Sequence, residues 1–347
     1  MTAPDPAGSL PGLDVPVLQD HLRRAVPGLI DGPLTAWLLA GGRSNLTYLL
    51  SDGAVQLVLR RPPLGHVLET AHDMAREYRV QAALRRTDVP VPRTHLLEAD
   101  PDVIGAPFYV MSFVDGLVLR SDEELRAVSA DQAATLADGL ADTLARLHAV
   151  APEAVGLGDL GRPDGFLDRQ LVRWARQLAA SSSRHVPGLE ELRDRLGQAV
   201  PAPQCSALVH GDYRLDNVVV DPDEPGHVRA VLDWEMATLG DPLTDLASAV
   251  AWWDGIVGLD SPVAAVPGDV PGFPPSSRLL ERYGRQTGLD LAGLPWYLGF
   301  AFYKIAAIFE GIHYRDTKGL TTGEGFDRLG AMVPALVERG HAALDQT

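Results

Sequence analysis

The sequence predicts an α+β fold in which a small antiparallel sheet is followed by a larger, mainly helical part. Two observations carry that expectation. Up to about residue 114 the chain spells strand-like runs around a single helical segment. Beyond it, long stretches with helical spacing dominate, interrupted only by short β-branched runs such as "ALV" and "VVV". At 347 residues there is room for two lobes, each with its own core.

The elements follow in order. "VPVLQDHLRRAVPG" reads as one short amphipathic helix after a polar, disordered leader, "MTAPDPAGSLPGLD". "LTAWLLAGG", "NLTYLLSDG" and "AVQLVLRRPP" read as three strands joined by Gly-containing turns, an antiparallel meander. "ETAHDMAREYRVQAALRRTD" has helical spacing, and "VPVPRTHLLEAD" and "APFYVMSFVDG" restore strand character after the prolines at 90 and 92. The pattern is β-β-β-α-β-β. "SADQAATLADGLADTLARLHAV" is a strong amphipathic helix starting near Ser129 or Asp131. "DGFLDRQLVRWARQLAASS" and "GLEELRDRLGQAV" add two more helices. "WYLGFAFYKIAAIFEGIHYR" reads as a late amphipathic helix, and "DSPVAAVPGDVPGFPPSS" as a surface loop.

Composition excludes several functions. An apolar share of 46% and a charged share of 22% are those of an ordinary globular chain. No run approaches the ~20 apolar residues of a membrane span, and the N-terminus has neither a basic nor an apolar signal region. The single cysteine, Cys205, forms no intramolecular disulfide and builds no zinc site, so a reducing cytoplasm is expected. A net charge of −16 argues against nucleic acid, whose phosphates demand basic surface. Only Lys304 and Lys318 supply lysine, so arginine carries nearly all the positive charge. No protein partner is marked.

The chemistry is concentrated in "LVHGDYRLDNVVV", residues 208–220. Asp212 and Asn217 lie five apart, His210 stands two before the aspartate, and apolar strands frame them. After an acidic turn, "VRAVLDWE" delivers Asp233 and Glu235. Phosphoryl transfer from ATP needs one carboxylate to orient a hydroxyl and take its proton. It also needs hard oxygen donors for Mg²⁺ on the phosphates. A carboxylate, an Asn five residues on, and an Asp on the return strand supply that set. Alone, each is a turn or a cap; the ordered combination points to the site.

"HGDYRLDN" followed by "VLDWEMATLGDPLTDLA" resembles the aminoglycoside phosphotransferase family, which has a protein-kinase-like fold. The resemblance extends to the branch related to kinase-like domains fused to acyl-CoA dehydrogenases, and covers roughly residues 30–320. It implies three parts: a leader and short helix over 1–28, a nucleotide-covering lobe over 29–114, and a catalytic and acceptor-binding lobe over 115–347. It further implies ATP and Mg²⁺ as cofactors and a small-molecule hydroxyl as acceptor. Asp212 would be the base, Asn217 and Asp233 the Mg²⁺ ligands, and His210, Asp241 and Asp245 supports of the loop. Glu235 would cap a turn, with contact to a second metal as the alternative. "GGRSNLTYLL" would cover the phosphates, with Gly42 approached closely and Ser44, Asn45 and Thr47 as donors. Arg60 stands where the fold usually has a lysine, with Glu77 as its helix partner; a surface carboxylate pairing within "REYR" is the alternative for Glu77. Backbone groups from Ser112 to Val114 would meet the adenine.

The acceptor is read from charge. Arg169, Arg173 and Arg176 recur at helical spacing beside Trp174, and Tyr303 and Arg315 lie on the late helix. Such a set suits a hydroxy acid or hydroxyacyl-CoA better than a polycationic aminoglycoside. A solvated arginine face is the plain alternative. Three further readings stay open: an aminoglycoside 3'-type phosphotransferase, a nucleotide-binding pseudokinase, and an enzyme that only hydrolyses ATP.

Overall fold

The computed structural model of the chain describes residues 10–39, 45–64, 73–181, 184–319 and 326–346. They fall into two compact units, Met1–Asp115 with Ala230–Glu235, and Gly116–Arg229 with Met236–Thr347. Among the described residues no helix is long and apolar enough to cross a membrane.

In the first unit α1 (Val15–Ala25) begins at Asp14, whose side chain accepts the Val17 N–H at 3.1 Å. Strands β1 (Thr35–Leu38), β2 (Leu46–Ser51), β3 (Gln56–Arg61), β4 (Thr94–Glu98) and β5 (Phe108–Ser112) form one sheet in the order β1-β2-β3-β5-β4. Every pairing in it is antiparallel. Helix α2 (Met74–Leu84) comes between β3 and β4 and is capped by Asp73, which accepts the Arg76 N–H at 2.9 Å. The expected β-β-β-α-β-β order is what the chain adopts.

Strand alternation divides the sheet's two faces. Tyr48, Leu50, Leu57, Leu59, Phe108 and Val110 pack with Leu18 and Leu22 of α1. Val58, Tyr109 and Met111 pack with Met74 of α2. Arg60 shares the period of Val58 and so points to the α2 side. Its register partners across the sheet are Thr47 on β2 and Tyr109 on β5. The sheet therefore delivers one arginine to a buried position beneath a helix. Arg61 goes the other way and donates to the Gly12 and Ile104 carbonyls.

The second unit holds α3 (Asp122–Arg126), α4 (Ala130–His148), α5 (Phe166–Ser181), α6 (Leu189–Gln198), α7 (Leu243–Val250), α8 (Ser277–Thr287), α9 (Leu294–Thr317) and α10 (Phe326–Leu344). Helices α3 and α4 open with full capping boxes, Ser121 with Glu124 and Ser129 with Gln132. Strand β6 (Ala207–Val209) pairs antiparallel with β9 (Thr238–Gly240), and β7 (Val218–Val220) pairs with β8 (Val228–Val231). Helix α7 runs into a π turn at Ala251–Gly255 carrying Trp252 and Trp253.

Two expectations change here. Helix α9 is not amphipathic over most of its length, because α5, α6, α7 and α10 all pack on it. Leu294, Trp296, Tyr297, Phe300, Phe302, Tyr303, Ile305 and Phe309 are all buried, and together they leave no polar stripe. The Pro/Gly-rich segment after residue 260 is not simply a surface loop either. Ala264, Val266 and Val270 are buried, and Trp253 Nε1 donates to the Pro274 carbonyl at 2.8 Å.

Candidate active site

The first unit gathers a buried ionic cluster. Arg60 Nη1 donates to Glu77 Oε1 at 2.5 Å, and its Nη2 donates to Asp233 Oδ1 at 3.1 Å. Glu77 is wholly buried, so it is the partner of Arg60 and not a surface carboxylate of its own helix. Burial would lower the Arg60 guanidinium, but Glu77 and Asp233 outweigh it and hold the charge firmly. Burial pushes the Glu77 carboxyl up to about 7, against the pull of Arg60. Arg60 Nε is buried and has no acceptor among the described residues. That orphaned donor fits an anionic oxygen arriving at the cluster.

Asp233 carries the only positive φ of a non-glycine residue among those described, 66°. The residue after it, Trp234, is fully buried and its Nε1 donates back to the Val231 carbonyl at 3.0 Å. A left-handed aspartate is strained, and such strain concentrates at working sites. Glu235 Oε2 accepts from Asn45 Nδ2 at 3.2 Å. Asn45 is buried, and its Oδ1 has no partner among the described residues. Thr47 lies half-buried on β2 opposite Arg60. Gly42 and Ser44 lie outside the described residues.

At the end of β5 the amide of Ser112 is already committed. It donates to the Arg93 carbonyl at 2.7 Å, and Phe113 N–H donates to the Gln56 carbonyl at 3.1 Å. The Ser112 hydroxyl meets His95 Nε2 at 2.8 Å. Ser112 is thus a sheet residue, and of the Ser112–Val114 stretch the half-buried Val114 is the one past these bonds.

The second unit builds a rigid polar loop between β6 and β7. Asp245, at the start of α7, accepts the His210 N–H at 2.6 Å and the Gly211 N–H at 2.8 Å. His148 Nε2 lies 3.3 Å from the same carboxylate, and its Nδ1 is 2.7 Å from the Tyr283 hydroxyl. His210 Nδ1 accepts the Asp212 N–H at 3.2 Å. Asp241 accepts the Leu243 N–H at 3.0 Å and the Tyr297 hydroxyl at 2.7 Å, tying the start of α7 to α9.

Asp212 ends this chain of supports. Asn217 Nδ2 donates to its carbonyl at 2.9 Å and to Oδ2 at 3.1 Å, so the Asn217 Oδ1 is directed elsewhere. Arg214 Nε lies 3.2 Å from Asp212 Oδ2, while its Nη2 reaches Asp216 Oδ2 at 3.1 Å. Burial would raise the Asp212 carboxyl, but Arg214, Lys304 and His210 together hold it below the usual range. The carboxylate is still about three-tenths exposed, at 30%. An ionised, braced and reachable carboxylate is what a base for a hydroxyl requires.

Two further residues reach the loop, Arg214 from within "HGDYRLDN" and Lys304 from far along the chain. Arg214 is held by the Trp252 ring, 4.7 Å below its guanidinium, on the π turn. Lys304 of α9 donates to the Gly211 carbonyl and lies 5.7 Å from the centre of the Trp174 ring. Of the arginine face, only Arg173 joins Lys304 in a recess beside Gly211. Arg169 does not, since its guanidinium is spent on the Arg162 and Asp164 carbonyls. Trp174 is buried behind the recess. Tyr303 sits among Arg193 and Asp194, its buried hydroxyl pushed up to about 12 by burial. Arg315 is exposed further along α9. Those last two do not line the recess.

A model of the phosphotransferase enzyme family, APH, matches residues 36–297. Acyl-CoA dehydrogenase family member 10 of Mus musculus is 33% identical over 337 residues, covering 92% of this chain and 30% of that protein. Family member 11 of Gallus gallus is 35% identical over 335 residues, covering 93% of this chain and 42% of that protein. The chain therefore spans less than half the length of either relative. A solved structure from Ralstonia eutropha JMP134, described as a candidate aminoglycoside phosphotransferase, is 34% identical with a TM-score of 0.81. It covers 96% of this chain and 98% of its own. Aminoglycoside phosphotransferase APH(4)-Ia, solved with ADP and hygromycin B, shares the fold at a TM-score of 0.62 and 14% identity, over 94% of this chain and 97% of its own.

Proposed function

Because the chain belongs to the APH phosphotransferase enzyme family, with its protein-kinase-like fold, we propose that it transfers the γ-phosphoryl group of ATP to a small-molecule hydroxyl. Asp212 takes the proton of that hydroxyl. His210, Gly211 and Asn217 fix its position, and Arg214 and Lys304 keep it ionised. The single observation that carries the reading is this braced, ionised carboxylate five residues before an amide whose oxygen stays directed away from it.

Arg60 is the phosphate-pairing cation, held by Glu77, and its orphaned Nε is the donor offered to phosphate. Asp233 is the oxygen donor toward Mg²⁺ in the first unit and Asn217 the oxygen donor in the second. Mg²⁺ takes only one or two protein oxygens beside phosphate and water, and it supplies neutralisation of the charge developing on the transferred group. Asn45, Thr47 and the loop of Gly42 and Ser44 serve the phosphates, and Val114 serves the adenine. The acceptor is a hydroxy acid or a hydroxyacyl-CoA; the cations near Gly211 support the acid, and the likeness to acyl-CoA dehydrogenase family members supports the thioester.

One observation favours a second reading. Arg60 stands where the fold usually has a lysine, and a nucleotide-binding protein without transfer would tolerate that exchange. Transfer of labelled phosphate from ATP with Mg²⁺ to a panel of hydroxy acids, CoA thioesters, aminoglycosides and amino alcohols decides between them. The expected result is a phosphorylated acceptor, lost in Asp212→Asn with nucleotide affinity retained. Near-native turnover in Asp212→Asn would remove Asp212 as the base, and bound ATP without any product would leave the second reading.

A further inference from the structure

The recess beside Gly211 has an unusual electrostatic balance. Its walls come from α5, the Asp212 loop, β9, α7 and α9, and they bring Arg173, Lys304, Thr238, Ser248 and Asp245 together. Asp245 is the one carboxylate among them, and both its oxygens are committed to the His210 and Gly211 amides and to His148. Neither Arg173 nor Lys304 pairs with a carboxylate among the described residues. Instead both lie against the buried Trp174 ring, at 5.5 and 5.7 Å from its centre. The ammonium has three donors, and one is spent on the Gly211 carbonyl. Two cations thus share a concave site with no carboxylate in direct contact, Lys304 feeling the nearby Asp212 and Asp245 charges and Arg173 remaining exposed, and an oxyanion placed there would take up the remaining donors of both. The Thr238 and Ser248 hydroxyls add neutral donors to the same wall.

We propose that this recess is a subsite for the oxyanion of the acceptor, a carboxylate or phosphate monoester set only a few bonds from the hydroxyl that is phosphorylated. The proposal rests on the phosphotransferase reading and narrows its acceptor. Gly211 immediately precedes Asp212, and successive Cα atoms are ~3.8 Å apart. An anion on Lys304 and a hydroxyl at Asp212 are therefore spanned by a short chain. A thioester whose charges all lie on a distant nucleotide cannot place one here. A free hydroxy acid or a hydroxyalkyl phosphate can.

The test is calorimetric titration of the full chain, with Mg²⁺ and a non-hydrolysable ATP analogue present. The probes are hydroxy acids of two to six carbons, their methyl esters, the matching hydroxyalkyl phosphates, and sulfate. The expected result is that an acid or a phosphate binds about tenfold or more tightly than its neutral ester and is displaced by sulfate. Arg173→Gln and Lys304→Met should weaken the anion by a similar factor without weakening the ester or the nucleotide analogue. Lys304→Met also removes the bond to the Gly211 carbonyl, so Lys304→Arg is the control, and it should restore anion affinity. Carboxylate against phosphate distinguishes the two sources of the oxyanion. Esters binding as well as acids, unchanged anion affinity in both variants, or no binding of any acid, phosphate or sulfate would each overturn the subsite. Anion binding that survives while no acceptor is ever phosphorylated would instead sink the phosphotransferase reading and leave the subsite standing.

Discussion

At Gly211 the backbone has φ +85°, and a Cβ built there would lie 2.6 Å from the Met236 carbonyl oxygen. Both polar atoms of this residue are also held, the N–H by Asp245 and the carbonyl by Lys304. Gly211→Ala should cost about 1–3 kcal/mol in urea unfolding and should lower the transfer rate by displacing Asp212. Asp245 adds a pH-dependent part. Burial would raise its carboxyl, but His148 and His210 hold it below the ordinary value. As acid is added, the unfolded chain therefore takes up this proton first, so the contribution is complete above roughly pH 4 and lost as pH falls below it. Asp245→Asn should cost about 3–5 kcal/mol near neutrality and flatten the acid limb of a stability-against-pH curve. A limb of unchanged slope would remove Asp245 as its source. His210, Asp212 and Asn217 were legible because one tight loop places them within eight positions. Lys304 could be named as a residue of the late helix, but its bond to the Gly211 carbonyl could not, since 93 residues separate the two. The left-handed backbone of Asp233 left no trace in the sequence either, because an aspartate after "VL" looks like any turn or cap residue.

Among the helices, the start of α4 was readable to within a residue, near Ser129 or Asp131 against the observed Ala130. Ser129 caps it and Gln132 reaches back to the Ser129 N–H at 3.0 Å, a local pattern three positions long. Ser129→Ala should cost about 1 kcal/mol, measurable as a shift in the urea midpoint at constant slope; no shift would mean that tertiary packing alone fixes this end. Short elements were harder. Strand β9 has three residues and helix α3 five, too few for any periodicity to register. Helix α9 misled for the opposite reason, since neighbours on several sides bury most of it and abolish the stripe that marks an amphipathic helix. The arginine face of α5 was visible as spacing, yet spacing cannot tell which guanidinium is turned back on its own helix start, as Arg169 is. The four-residue interval from Arg169 to Arg173 thus separates a local brace from a residue of the recess.

For the molecule as a whole, ligand linkage gives the clearest expectation. A Mg²⁺–nucleotide analogue at a hundred times its Kd should stabilise the fold by about 2.7 kcal/mol, seen as an upward shift in Tm. EDTA should abolish most of that shift. Asp233→Asn should do the same and should also lower the Tm of the free protein, because asparagine tolerates the left-handed backbone but leaves the buried Arg60 with Glu77 alone. A full shift in the presence of EDTA would argue against a metal in nucleotide binding. At this scale the sequence was most informative, because the order of strands and helices is a property of long stretches.

The return of Ala230–Glu235 to the first unit has a consequence for how the chain is made. When a ribosome has released residue 115, every strand of the five-stranded sheet exists, but Arg60 has only Glu77, and Asn45 has no carboxylate to bond. The Val231 N–H that donates to the Pro90 carbonyl at 2.8 Å is also missing. Asp233 and Glu235 emerge more than a hundred residues later, on the order of ten seconds at ~5–20 residues per second. During that interval the nascent sheet carries a buried arginine with half its counter-charge, and the arrival of a single six-residue segment completes it.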